Sequence, residues 1–154
     1  MSGKPAPTDP ATRSTDYKAY RKNAMDYILD TNVWLRLHHF PEEINNTVLD
    51  ILCAESLVAL SSVSLLEVAQ KNASKKGPIL RIPIRQWFSI ALPQQIRVFD
   101  ISTDIAAAAY ELGEDFHGDP ADRIIAATSI IQRLTLVTSD KRLIEHPTLN
   151  TLSS

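Results

Sequence analysis

Residues 27–33, YILDTNV, decide the expected fold, because a short apolar segment runs directly into an aspartate and then into a helix start. Tyr27 to Leu29 is typical of a short buried strand, and residues 32–38 are predicted to be helical. Further strands are predicted at 57–61, 96–99 and 134–138. Strands that alternate with helices favour parallel pairing through crossovers. The sequence therefore predicts an α/β fold, a three-layer α/β/α sandwich with a central parallel sheet and Rossmann-like layering.

Helices are predicted between these strands from apolar periodicity and from residues that begin or end helices. An amphipathic helix is expected over 42–53, and Cys53 within it is expected to be a small buried hydrophobe. Ser64 is expected to open a helix that Gly77-Pro78 ends. The remaining predicted helices begin at Pro83, at Ser102 and at Asp119-Pro120, the last running to about residue 132.

The 154 residues suffice for one domain with a core. Residues 1–24 carry five Lys/Arg against two Asp, with three prolines, and are predicted to be a disordered basic N-terminal extension before a folded domain over 25–154. A single cysteine, and no stretch resembling a secretion signal or a membrane span, favour the cytoplasm. The domain itself is acidic, so nucleic-acid binding would need local basic patches or metal ions.

Acidic residues stand next to the predicted strands, where one edge of the sheet brings them together. Asp30 follows the first strand and Asp140 the fourth. Glu67 is expected in the first turn of the helix after the second strand, and Asp119 and Asp122 begin the helix before the fourth. Because ligands bind beyond the carboxyl ends of parallel strands, these acids are expected to converge.

Clustered carboxylates repel one another unless a positive charge lies between them. Hard cations such as Mg²⁺ prefer oxygen ligands, and one or two such ions activate water and stabilise both oxygens of a phosphodiester displacement. A convergent Cys/His set, which zinc would require, is not found in the sequence pattern. The acids therefore favour a magnesium site for phosphodiester chemistry.

Each acid also has a structural explanation. Asp119 before Pro120 is a favourable helix N-cap, and Asp122 and Glu67 suit the first turn of a helix. Asp30 and Asp140 suit caps or turns. Capping alone explains single acids, whereas their joint placement favours a site.

Four segments together resemble the PIN-domain family. In the family's order, they are residues 28–33 (ILDTNV), 64–69 (SLLEVA), 117–128 (HGDPADRIIAAT) and 136–140 (LVTSD), within a resemblance that spans about 26–144. The resemblance implies four catalytic acids that also bind the metal: Asp30, Glu67, Asp122 and Asp140. Asp119 becomes a helix cap or a secondary acid, and the supporting residues are Thr31, Asn32, Asp119 and Ser139.

Length, spacing and the segment DPADR at 119–123 are most similar to the VapC toxins of bacterial toxin–antitoxin pairs. That likeness implies a metal-dependent endoribonuclease that uses Mg²⁺ or Mn²⁺, forms a homodimer and is inhibited by a small antitoxin. The basic residues 1–24 depart from the compact toxin pattern.

Basic side chains that could rim the site and bind RNA phosphates are Arg36, Lys71, Lys75, Lys76, Arg123, Lys141 and Arg142. Trp34 is expected either to stack a base or to lie in a core or dimer contact. His117, in a loop near the proposed site, is a weak candidate for a general base.

Other functions stay open. One is a non-catalytic acidic α/β module that binds protein partners, and another is a PIN-type RNA-processing nuclease outside a toxin–antitoxin system. A phosphatase with Asp30 as nucleophile is disfavoured, because such enzymes want a second aspartate where Asn32 stands.

Overall fold

A computed structural model describes residues 27–54, 58–77, 80–116 and 118–154. The predicted extension over 1–24, the predicted strand start at 57, Pro78 and His117 lie outside the described residues. None of the helices in the described ranges has the length and hydropathy needed to cross a bilayer.

Strands and helices alternate along the chain as predicted. The strands are β1 (Tyr27–Leu29), β2 (Val58–Ser61), β3 (Ile96–Phe99), β4 (Thr135–Thr138) and β5 (Thr151–Ser153). The helices are α1 (Thr31–His39), α2 (Asn46–Cys53), α3 (Ser62–Ala73), α4 (Ile84–Ala91), α5 (Thr103–Glu111), α6 (Pro120–Gln132) and α7 (Lys141–Ile144), with a short 3-10 helix at Pro41–Glu43.

All five strands pair in parallel, in the order β3-β2-β1-β4-β5. The predicted three-layer α/β/α sandwich is thus confirmed. The chain first moves outward from β1 through β2 to β3, then returns to the other side of β1 for β4 and β5. The strand order therefore reverses between β1 and β4, and it is at such a reversal that open parallel sheets bind ligands.

Alternate residues of each strand face opposite layers, which gives the sheet two cores. Tyr27 and Leu29 pack with the aliphatic and aromatic side chains of α1, α2 and α4 on one face. Ile28 packs on the other face with residues of α6. Trp34 lies fully within the first core, where its indole Nε1 donates to the Ala91 carbonyl at 3.1 Å. Of the roles expected for Trp34, the structure supports the core contact.

Two sequence expectations are wrong in detail, and one strand is missing from the prediction. The helix expected over 42–53 is broken, because Asn45 in extended conformation accepts from Val48 N and begins α2 afresh. Cys53 is exposed and not buried, since it lies at the last position of that short helix. The strand β5 was not predicted at all.

A fourth correction moves a candidate acid. Helix α3 begins at Ser62, with the hydroxyl of Ser61 accepting from Val63 N, and not at Ser64. Glu67 is therefore the sixth residue of α3 and lies in its second turn. Ser64 is free to turn its hydroxyl inward, and it is fully buried.

Candidate active site

Asp30 leaves the sheet at the point where the strand order reverses. Its backbone N–H donates to the Val137 carbonyl of β4 at 3.0 Å, and the Thr138 hydroxyl donates to Asp30 Oδ2 at 2.7 Å. The same Thr138 oxygen accepts from Asp140 N at 3.1 Å. One buried hydroxyl thus ties the acid after β1 to the acid after β4.

Glu67 reaches the same region through the first residue of α1. The Thr31 hydroxyl donates to Glu67 Oε2 and lies 2.8 Å from Ser64 Oγ, with which it shares a second hydrogen bond. Thr31 is 1% exposed, so these contacts are shielded from water. The predicted supporting residue Thr31 therefore contacts Glu67, from the position next to Asp30.

Asp119 and Asp122 begin α6 as a reciprocal capping pair. Asp119 Oδ1 accepts from Asp122 N at 2.9 Å, and Asp122 Oδ2 accepts from Asp119 N at 3.3 Å. A Cβ added at Gly118 would lie 2.7 Å from Asp122 Cβ and 2.4 Å from Phe116 Cε1. The chain therefore needs glycine here to bring the start of α6 against Phe116.

Three of the four predicted acids have raised pKa values. The pKa of Asp122 is raised to about 6. Burial is the largest cause, and the charges of Asp119, Asp30 and Glu67 contribute to the same shift. Burial is also the main cause that raises the pKa of Asp30, which is 5% exposed, and of Glu67. Such mutual destabilisation of charge marks a place where a cation is favoured.

Asp140 lies at the edge of this group. Its carboxylate accepts from Arg142, with Oδ2 2.7 Å from Nη2, and that hydrogen bond holds the pKa of Asp140 below its usual value. Asp140 Oδ1 also accepts from Arg142 N and so caps α7. Its charge still contributes to raising the pKa of Asp30.

The donor set suits a hard divalent cation, because the acids offer only carboxylate oxygens and their charges repel one another. In the described part of the chain, no three His, Cys, Asp or Glu side chains converge tightly enough to hold one ion by direct ligation alone. Mg²⁺ keeps several of its waters and needs only one or two direct carboxylates. Asp30, Glu67, Asp122 and Asp140 are the side chains that would supply oxygen ligands to such an ion.

The basic residues predicted at the rim differ in their contacts. Lys71 Nζ donates to Asn32 Oδ1 at 3.1 Å beside the acids, and Arg36 Nη2 donates to Ser139 Oγ at 2.8 Å. Arg123 instead donates to the carbonyls of Ala109 and Phe116, so its guanidinium braces the fold. Lys141, Lys75 and Lys76 are exposed. RNA binding by these residues stays a prediction.

Two residues that support the acids were missed by sequence reasoning. Thr138 and Ser64 stand in the two segments 136–140 and 64–69, but nothing in their local pattern separates them from ordinary core threonine and serine. Their signal is three-dimensional: each is fully buried and hydrogen-bonded to a candidate acid or to its partner.

The family model of the PIN domain matches residues 27–148. The chain belongs to the PIN-domain family. It is also 32% identical over 119 residues to Ribonuclease VapC22 of Mycobacterium tuberculosis, an alignment that covers 77% of this chain and 90% of that protein. Within the family the chain is thus VapC-like, and the family predicted from its four segments is confirmed.

Solved structures show the same fold at lower identity. A chain in the crystal structure of VapBC2 from Rickettsia felis, bound to a promoter DNA fragment, superposes with a TM-score of 0.66 at 22% identity, covering 84% of this chain and 98% of that one. A chain of DNA-bound VapBC from Salmonella typhimurium gives 0.62 at 18% identity, with the same coverage. FitAcB from Neisseria gonorrhoeae gives 0.59 at 20%, covering 82% and 96%.

Proposed function

We propose that this protein is a metal-dependent endoribonuclease and the toxin of a toxin–antitoxin pair. The observation that carries the proposal is the group of acids where the strand order reverses, in which the pKa of Asp122 reaches about 6 through burial and three neighbouring carboxylates. The name of the relative Ribonuclease VapC22 supports RNA as the substrate. The toxin role is supported by the VapBC complexes among the structures that share the fold.

Asp30, Glu67, Asp122 and Asp140 would hold Mg²⁺ or Mn²⁺. When bound, such an ion would offset the charge of the phosphate and would lower the pKa of a bound water, so that hydroxide is available as the nucleophile. The chain's own residues prepare for this by fixing the carboxylates before the substrate arrives. Thr138 orients Asp30, Thr31 orients Glu67, and the Asp119 cap holds Asp122 at the start of α6.

Near the site, Lys71 and Arg36 supply positive charge on the side of α1. Phosphates that flank the scissile bond would be bound by these side chains, since an otherwise acidic domain needs local basic groups to attract RNA. Lys141 is proposed for the same role from its exposed position after Asp140.

The decisive experiment is RNA cleavage with Mg²⁺ or Mn²⁺ and with excess chelator. We expect loss of intact RNA only with metal, and a fall of several orders of magnitude in Asp30→Asn and Asp122→Asn. Asp104→Asn, in the exposed first turn of α5, is the matched control and should cleave as the wild type does. Cleavage that persists undiminished in chelator would refute the proposal.

Expression in a bacterial host tests the toxin role separately from the nuclease chemistry. We expect growth to stop when the wild type is induced and to continue with Asp122→Asn. A chain that cleaves RNA in vitro but leaves growth unaffected would belong to RNA processing. We further propose a small protein antitoxin as partner, a homodimer, and the cytoplasm, where RNA substrate and antitoxin are available.

A further inference from the structure

Next to the acids lies a cleft of about 450 Å³, and most of its lining residues have no part in the proposed cleavage chemistry. Asp122 and Asp140 are among its lining residues, and the others lie within 112–116, at Gly118 and within 142–148. An RNA strand whose scissile phosphate lies at the acids therefore places a neighbouring nucleotide at the cleft. Its volume is in the range of pockets that bind small planar ligands.

The walls of the cleft are aromatic and apolar. The rings of Phe116 and His146 meet edge to face, with centroids 5.2 Å apart, and Leu143 and Pro147 extend the apolar lining. His146 Nδ1 lies 2.9 Å from Thr148 Oγ1, a contact that orients the imidazole. Fixed rings of this kind bind splayed-out bases of single-stranded RNA by stacking.

The charge of the cleft decides which part of a nucleotide enters. Besides Asp122 and Asp140, the carboxylates of Asp115 and Glu145 line it. The single cation among the described lining residues is Arg142, and its guanidinium is paired with Asp140. This excess of acceptors repels a phosphate and favours a neutral ring that carries hydrogen-bond donors.

We propose that this cleft binds the nucleobase next to the scissile phosphate and that it prefers guanine. The Watson–Crick edge of guanine presents N1–H and the N2 amino group side by side, which matches the two oxygens of a carboxylate. Uracil presents one donor between two acceptors and is disfavoured. The proposal rests on the RNA cleavage proposed above and adds the base that the site selects.

Binding is tested with fluorescein-labelled RNA hexamers of sequence UUUXUU, where X is G, A, C or U. The hexamers are titrated by anisotropy against full-length Asp30→Asn in Mg²⁺, a background expected to cleave slowly. We expect the guanine hexamer to bind about tenfold more tightly than the all-uridine hexamer. The double change Asp115→Asn with Glu145→Gln should remove that preference, whereas the control Glu42→Gln, on the exposed 3-10 helix, should keep it.

The stacking wall is tested in the same assay by two changes at His146. His146→Ala should weaken binding of all hexamers, and His146→Phe, which keeps a ring, should retain most of it. Equal dissociation constants for the four hexamers in the Asp30→Asn background would overturn the proposal. Tighter binding of an arginine-rich peptide than of any hexamer would also overturn the proposal if the double variant lost that binding. The cleft would then be a docking site for a protein.

Mapping of the cut sites in total RNA separates the two proposals. With the wild type and Mn²⁺ we expect guanine to be enriched beside the cleaved bonds and the enrichment to vanish in the double variant. Cleavage without base preference would refute the cleft proposal alone. A guanine preference in hexamer binding without any cleavage would refute the nuclease and support the cleft.

Discussion

At the residue scale, Asp122 has two opposing effects on stability. Its side chain accepts from Asp119 N and so helps to begin α6, which favours folding. Its charge is half-buried near three other carboxylates, and this disfavours folding, as the pKa of about 6 records. The repulsion and burial outweigh the hydrogen bond in the pKa, and asparagine keeps a capping acceptor while it removes the charge, so the two effects can be separated experimentally.

We predict that metal-free Asp122→Asn is as stable as the wild type at pH 4 and more stable at pH 7.5. Because the folded-state pKa is raised, the protonated Asp122 contributes stability at low pH, and this is lost as the pH rises through about 6. After discounting for solvent exposure, the gain at pH 7.5 is about 0.5–2 kcal/mol. Asparagine keeps the capping acceptor.

Urea denaturation at the two pH values, with Asp104→Asn as control, measures this difference. Mn²⁺ should raise the melting temperature of the wild type and raise that of Asp122→Asn much less, because binding stabilises only the folded state. A variant that is less stable than the wild type at both pH values and still cleaves RNA would show that Asp122 is only a helix cap.

A second prediction concerns Thr138, the buried hydroxyl that donates to Asp30. Thr138→Val preserves the shape of the side chain but removes the donor from the Asp30 carboxylate, which is almost fully buried. The free energy of unfolding should therefore fall by about 1–3 kcal/mol. The loss should be larger at pH 8 than at pH 4, because the ionised form of Asp30 needs the donor most. Nuclease activity should fall as well.

Thr128→Val is the matched control for this change. Thr128 is also fully buried, but its hydroxyl donates to the uncharged backbone carbonyl of Ile124 in the same helix, α6. Its loss of stability should be small and the same at both pH values. Equal effects of the two substitutions would mean that Thr138 does not act through Asp30.

The positions of three candidate acids could be predicted from the sequence, since Asp30, Asp122 and Asp140 each stand at a strand end or helix start that the local pattern reveals. Their supporting hydroxyls could not, because Thr138 and Ser64 act through contacts between segments far apart in the chain. The ion pair between Asp140 and Arg142 is local in the chain. The sequence did not predict it, because Arg142 was equally compatible with binding RNA phosphates.

At the scale of elements, the start of α6 determines where Asp122 lies. Asp119, Pro120 and Asp122 form a cap that was predicted to the residue, because N-cap, proline and acid each have a strong positional preference. The strand β5 escaped prediction because residues 151–153 are few and only Leu152 among them is apolar. They form a strand because the edge of β4 is available to pair with them.

We predict that Asp119 serves α6 as a cap and is not required for cleavage. Asp119→Asn keeps an acceptor for Asp122 N and should retain most of the activity, whereas Asp119→Ala should lose about 1 kcal/mol of stability. Activity assays and thermal melts of both variants test this. A loss of several orders of magnitude in Asp119→Asn, comparable with Asp122→Asn, would make Asp119 a metal-binding acid.

At the scale of the whole molecule, large apolar side chains remain exposed around the outer helices. Four of them lie on α5 and α6 or just before α5, namely Ile101, Tyr110, Ile130 and Ile131. Tyr110 is 68% exposed, although Arg123 lies over its ring. Surface of this kind is typical of an interface between subunits.

We therefore predict a homodimer, with twice the 17.1 kDa mass of one chain in light scattering at tens of micromolar. Ile131→Glu should shift the protein towards monomer, because a charge would be buried at the interface. Ile90→Glu, on the exposed side of α4, is the control and should leave the mass unchanged. A wild-type monomer at that concentration would contradict the prediction.

The reversal of strand order between β1 and β4 has a consequence for the timing of synthesis. Asp30 and the Thr138 hydroxyl that binds it are 108 positions apart. A ribosome adding about 5–20 residues per second needs roughly 5–20 s to translate that interval. Throughout it, β1 has at least one unpaired edge, Asp30 lacks its donor and Asp140 has not yet been added. The group of acids consequently cannot be completed until nearly all of the domain has been translated.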